Sequence, residues 1–200
     1  MTIVDREAFL RAAFAEAVKA ARGDFNPVIA AAQAALESNW GRSQLIRKAN
    51  NLKGVKAGRS WRGPTIDLPT REQRPDGTWY VTTARWRKYR DWQHAFEDFG
   101  ALMRRVYPHA VEVANDPRKF LEALVSGTLK YATDLNYVQK VWRIVEQFNM
   151  TTWGERVEDS GLILLYDAAN KEVARTVVPV GATVLMRTTQ NPWRVHIRPD

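Results

Sequence analysis

Apolar residues near the start of the chain recur every three or four positions, the period of an amphipathic helix. Leu10, Phe14, Ala17, Val18 and Ala21 predict a first helix, opened by Thr2 with Asp5 and stopped at Gly23. Asn26-Pro27 opens a second, because Asn caps a helix and Pro suits its first turn. Val28, Ala31, Ala32, Ala35 and Leu36 make a tight stripe whose alanines predict close packing on another helix. Asn39 and Gly41 end it. A short helical stretch over 42–49 follows. The period then changes to two. Ile66, Leu68, Thr70 and Glu72 share one strand face, Pro75-Asp76-Gly77 is a turn, and residues 78–84 return as a second strand. This predicts a long β-hairpin set into a helical domain.

Helical spacing resumes over 92–107, with Asp91 as cap and Phe96, Phe99, Leu102, Met103 and Val106 buried. Asp116-Pro117 opens another helix that ends near Gly127. Asp134 opens the next, carrying Tyr137, Val138, Val141, Ile144, Val145 and Phe148. After Trp153-Gly154 the pattern predicts short strands at 162–166, 172–178, 183–188 and 194–198, joined by turns. The fold class is therefore α+β. A mainly helical domain with an inserted β-hairpin lobe occupies residues 1–153, and a small all-β domain occupies 154–200.

The chain has 200 residues, 45% hydrophobic and 26% charged, which suits folded domains and argues against wholesale disorder. It has no cysteine, which excludes disulfide scaffolds, thiolate zinc sites and cysteine nucleophiles. The formal charge is +8. Residues 155–200 hold six basic and six acidic side chains, so the excess lies in the first domain. A basic body suggests an anionic partner or simply solubility. No apolar run approaches the ~20 residues that cross a bilayer, so no membrane span is expected. The charged opening residues lack a secretory h-region, which predicts synthesis in the cytoplasm without a signal peptide.

His94, His109 and His196 are scattered without ligand spacing, so neither a metal site nor a cofactor is expected. Carboxylates remain as the acid–base groups. Glu37 ends an otherwise uncharged helix, and Gln33 lies one turn before it on the same ridge. The negative end of the helix dipole and partial burial both disfavour its charged form, which is what a general acid at neutral pH requires. An exposed last-turn glutamate is the plainer alternative.

The run Ala31-Ala32-Gln33-Ala34-Ala35-Leu36-Glu37-Ser38-Asn39-Trp40-Gly41-Arg42-Ser43 resembles the signature of the glucosaminidase family of peptidoglycan hydrolases, glycoside hydrolase family 73. Asn50-Asn51-Leu52-Lys53-Gly54-Val55-Lys56, Thr70-Arg71-Glu72, Trp86-Arg87-Lys88-Tyr89 and Tyr131-Ala132-Thr133-Asp134-Leu135-Asn136-Tyr137 are similar to later blocks in the same order. Two departures stand out: Lys53 replaces the usual aromatic, and Gln73 replaces a commoner tyrosine. The resemblance spans about residues 5–150. It implies a lysozyme-like fold and an endo-β-N-acetylglucosaminidase that cuts the β-1,4 bond after N-acetylglucosamine in peptidoglycan. It further implies Glu37 as general acid and Glu72, on the hairpin, as second carboxylate.

Under that resemblance Gln33, Asn51, Tyr131 and Tyr137 become candidates to bind the sugar. Asn51 alternatively caps a turn, and Tyr137 alternatively belongs to a core stripe. Trp61 and Trp79 are candidates for stacking on sugars. Retention, inversion and attack by the substrate's own N-acetyl group all remain open, since carboxylate spacing of about 5 Å or roughly 6.5–9.5 Å separates the first two. The expected partner is the glycan strand of the bacterial wall, met by a monomer, with a phage lysin as one setting. A lytic transglycosylase or muramidase is the alternative within enzymes. A non-catalytic wall- or nucleic-acid-binding protein is the alternative outside them, although no nucleic-acid module is present and no nucleic acid is expected. The β tail is either an SH3-like wall-binding module or a support for the first domain.

Overall fold

The structure, a computed structural model, describes residues 3–74, 76–154, 160–166, 172–179 and 194–198. The chain divides into two compact units, residues 1–154 and 155–200. Among the described residues of the first unit, seven helices and one hairpin follow in the order α1 (Ile3–Ala21), α2 (Pro27–Glu37), α3 (Gln44–Ala49), β1 (Thr65–Gln73), β2 (Trp79–Arg87), α4 (Trp92–Val106), α5 (Pro108–Val111), α6 (Pro117–Ser126) and α7 (Tyr137–Gln147), closed by a 3-10 turn at Met150–Gly154. In the second unit the described strands β3 (Ser160–Tyr166), β4 (Glu172–Pro179) and β5 (Arg194–Arg198) form an antiparallel sheet in the order β4-β3-β5. The strand expected at 183–188, and the turns at 167–171 and 190–192, lie outside the described residues.

Helix α2 explains the arrangement. Its cap is the expected one: Asn26 Oδ1 accepts from Ile29 N at 3.2 Å, and Pro27 takes the first turn. From Val28 to Ala35 every side chain is buried, not only the expected stripe. A helix apolar on all sides must be central, and α1, α6 and α7 pack around it. Alanine makes this possible because its short side chain lets neighbouring backbones approach closely. Phe25, Phe96, Phe99, Phe120, Leu121, Leu124, Val141 and Val145 fill the remaining core.

Three expectations need correction. Val18 is exposed, because the buried stripe of α1 runs through Leu10, Ala13, Ala17, Ala20 and Ala21 and position 18 falls beside it. Leu102 and Val106 are only half-buried; Ala95 and Gly100 complete the inner face of α4 instead. Helix α7 begins at Tyr137 rather than Asp134. Asp134 holds the turn before it, accepting from Asn136 N at 2.9 Å and Lys140 Nζ at 2.5 Å.

The hairpin pairs Thr65 with Arg87 through Gln73 with Trp79 in unbroken register. Its base is tied to the helices by Tyr89 N donating to Ala49 O at 2.8 Å and by Arg87 N donating to Val55 O at 3.1 Å. Arg87 also reaches α4, where its guanidinium meets both oxygens of Asp98 at 2.6 Å. Among the described residues no helix is long and apolar enough to cross a membrane.

Candidate active site

Glu37 is the last residue of α2. Ser38 follows as C-cap, its hydroxyl donating to Ala34 O at 2.6 Å and accepting from Gly41 N at 2.9 Å. Asn39, Trp40 and Gly41 then take positive φ, so the chain turns sharply away after the carboxylate. The side chain keeps substantial accessible surface. Its carboxyl nevertheless lies against Tyr137, which hydrogen-bonds it, and near Lys53 and Tyr131. Crowding by these side chains removes hydration from the charged form, and this effect raises the carboxyl pKa above its ordinary value. Lys53 and the Tyr137 bond oppose the rise without cancelling it. Glu37 is thus open to a large substrate on one side and poorly hydrated on the other. Both sequence readings of this residue were partly right: it is an exposed last-turn glutamate, and its surroundings favour the protonated acid.

Beneath it runs a buried polar chain. Lys53 Nζ donates to Ala30 O at 3.0 Å and to Gln33 Oε1 at 2.7 Å. Gln33 Nε2 donates to Tyr137 Oη at 3.0 Å. Tyr137 Oη accepts there, so its single hydrogen points to Glu37. Tyr131 packs against Tyr137 in a tilted arrangement, ring centroids 5.9 Å apart. Burial pushes both phenols well above their usual range, so they remain neutral donors.

The expected sugar ligands are corrected accordingly. Gln33 is fully buried and Tyr137 nearly so; Gln33 turns to Tyr137 and Tyr137 to Glu37, which leaves little of either open to solvent. Asn51 is 1% exposed, and its amide is saturated by Val55 O and Arg87 O at 2.9 Å and by Val55 N at 2.9 Å. It closes the 51–55 turn that carries Lys53 into the core, as the turn-capping alternative required. Trp61 packs edge-on against Tyr89, carries the Arg87 guanidinium 4.7 Å from its ring centroid and donates its indole N–H to Pro64 O at 3.0 Å. The ring stays half-exposed beyond these contacts. Tyr131 is half-buried and remains available at the site.

Glu72 lies on the expected strand face. In antiparallel pairing, directly opposed residues share a face and neighbours alternate. Ile66 with Trp86, Leu68 with Ala84, Thr70 with Thr82 and Glu72 with Tyr80 therefore line one side. Trp79 pairs with Gln73 and so faces the other side, away from Glu72. It is exposed but cannot share a subsite with that carboxylate. Tyr80 is the aromatic directly opposite Glu72, with Trp86 further along the same face, and counting register across the turn would have found it. Lys56 Nζ meets Glu72 Oε1 at 2.5 Å, which holds the carboxyl below its ordinary pKa and keeps it ionised. Glu72 makes no hydrogen bond to Glu37 among the described residues. Leu68 and Trp86 of this face, together with the neighbouring Pro69, join Ser43, Gln44 and Leu45 around a groove of about 330 Å³.

Sequence reasoning does not point to Lys53 as part of this polar chain. Lys53 was visible only as a departure from a usual aromatic, and its contact with Gln33 depends on a turn that sequence did not fix. No cluster of three or more His, Asp or Glu able to hold a metal occurs among the described residues.

Comparison with known proteins gives a consistent picture. Residues 13–150 match the family model described as glucosaminidase, mannosyl-glycoprotein endo-beta-N-acetylglucosaminidase. The peptidoglycan hydrolase FlgJ of Salmonella typhimurium is 35% identical over 120 residues, 58% of this chain and 37% of that protein. The exo-glucosaminidase LytG of Bacillus subtilis is 33% identical over 136 residues, 64% of this chain and 46% of that one. The chain thus spans less than half the length of these curated relatives. Among solved structures, the catalytic domain of the autolysin Auto from Listeria monocytogenes superposes with a TM-score of 0.66 at 28% identity, covering 76% of this chain and 89% of that domain.

Proposed function

Since the chain belongs to the glucosaminidase family, we propose that it is a peptidoglycan hydrolase, an endo-β-N-acetylglucosaminidase cutting the β-1,4 bond after N-acetylglucosamine. Glu37 is the general acid in this reading. The observation that carries it is the crowded carboxyl at the end of α2, open to a glycan yet biased toward its protonated form by burial. Its proton passes to the departing sugar oxygen, and the Tyr137 O–H then supports the carboxylate left behind. Glu72, ionised by Lys56, suits the opposite role, either stabilising positive charge that develops at the sugar or activating water. Two carboxyls with pKa values driven apart is the pattern that acid–base division of labour requires.

The wall is the proposed site of action, and the basic helical unit supports this through attraction to wall carboxylates, which weakens with salt. Strands β3, β4 and β5 support reading residues 154–200 as a small all-β domain. End-group analysis tests the activity. Purified protein is incubated with peptidoglycan and the fragments are reduced with borohydride. New reducing N-acetylglucosamine ends inside long strands are expected. Reducing N-acetylmuramic acid would indicate a muramidase, anhydro ends a transglycosylase, and release of terminal sugars alone an exo-acting enzyme.

A further inference from the structure

Lys53 touches none of the reacting groups, yet its amine is held out of water at a cost. It is 9% exposed, its Nζ lies 4.3 Å from the Phe99 ring centroid, and burial drives its pKa well below the usual lysine value. A methionine would fill the same apolar space without that desolvation cost. What lysine adds is direction. Both partners of Nζ, Ala30 O and Gln33 Oε1, are pure acceptors. Nζ is therefore a donor to both, whether it is an ammonium or a neutral amine. The Gln33 amide must then turn its oxygen toward Lys53 and its N–H toward Tyr137. Tyr137 Oη becomes an acceptor, and its hydrogen is left for Glu37.

We infer that Lys53 is a positioning residue for hydrolysis: as a donor at the far end of the chain Lys53–Gln33–Tyr137–Glu37, it sets the direction of every bond and so fixes which oxygen of Glu37 carries the proton. The Tyr137 O–H occupies one carboxyl oxygen, and the acid proton stays on the other, facing the substrate. Without a donor at position 53 the Gln33 amide can turn over. Tyr137 then donates to Gln33, and Glu37 donates back into Tyr137, away from the leaving group. Among the described residues, the ionisable groups facing Glu37 are Lys53 from the 51–55 turn, Tyr137 from α7 and Tyr131 from the segment before it, and the ionisable group acting on Lys53 is Glu37.

This inference rests on Glu37 being the general acid, and the test separates the two. Lys53→Met removes the donor at constant size. Gln33→Glu keeps Lys53 paired but offers Tyr137 only an acceptor, which draws its hydrogen away from Glu37. Both variants are expected to fold, as judged by circular dichroism and melting, and to lose roughly 10- to 100-fold in kcat on peptidoglycan with apparent KM unchanged. The loss persists at acidic pH, where Glu37 is fully protonated in every variant, because the proton is misdirected rather than missing. Lys53→Met in a Tyr137→Phe background adds little further loss, since both act through one chain. Wild-type kcat in Lys53→Met or Gln33→Glu, alongside an inactive Glu37→Gln, overturns the inference and leaves the general acid standing. Full additivity with Tyr137→Phe also overturns it. If Lys53→Met fails to fold, Gln33→Glu decides the matter alone. Full activity in Glu37→Gln removes both claims.

Discussion

Glu37→Gln is expected to lower kcat on peptidoglycan by about 10²- to 10⁴-fold, the range a positioned general acid supplies. The amide keeps the shape of the carboxyl and still accepts from Tyr137, but it has no proton to give. Stability should move the other way. A carboxyl whose folded pKa lies above its unfolded value stabilises the fold only below the unfolded pKa, and that contribution is lost as pH rises through the folded pKa. At neutral pH Glu37 is a burden on the fold, so the neutral glutamine should melt no lower than wild type and somewhat higher. Dead but equally or more stable protein is the signature expected of a residue retained for chemistry. The same sign governs rate: turnover is supported below the Glu37 pKa and falls as pH rises through it.

Asp98→Ala carries the largest expected effect on stability, a loss of about 3–5 kcal/mol. Arg87 ends β2 and is buried; Asp98 on α4 meets its guanidinium and also accepts from Tyr89 Oη at 2.7 Å. Removing the acid leaves a buried cation and a buried phenol unpartnered. At this chain length the melting temperature should fall by roughly 10 °C. Asp98→Asn, which keeps the shape but turns one acceptor into a donor, should fall between the two. The cost reaches the site as well. The Arg87 backbone carbonyl anchors Asn51, and Asn51 closes the turn that delivers Lys53 to Gln33. Unchanged melting in Asp98→Ala would show that the pair does not hold the hairpin to the helices.

Much of this molecule was legible from local chemistry. Asn26-Pro27, Asp91 and Asp116-Pro117 announce helix starts because caps and prolines act within one turn, and each caps a helix as expected. The ridge joining Gln33 to Glu37 follows from the helical period alone. What was not legible depends on contacts distant in sequence. That α2 is wrapped on every side depends on where α1, α6 and α7 pack. That Asn51 is saturated depends on β2 passing beside it, 36 residues later. Trp79 illustrates an intermediate case. Its face follows from alternation once the register is known, but composition alone makes any exposed hairpin tryptophan look like a sugar platform. Lys53 stands out in the sequence only as a departure from an aromatic; its consequence depends on the partner oxygen of Gln33.

The carboxyl of Glu37 can be titrated directly. Protein labelled with ¹³C at glutamate carboxyls is followed by NMR across acid and neutral pH, and the resonance missing from Glu37→Gln assigns the signal. A general acid at this position requires a midpoint above the ordinary glutamate value of about 4.3, with the alkaline limb of kcat/KM tracking it and Glu72 titrating below that value. A Glu37 midpoint at or below the ordinary value would contradict the assignment of a general acid at the end of α2.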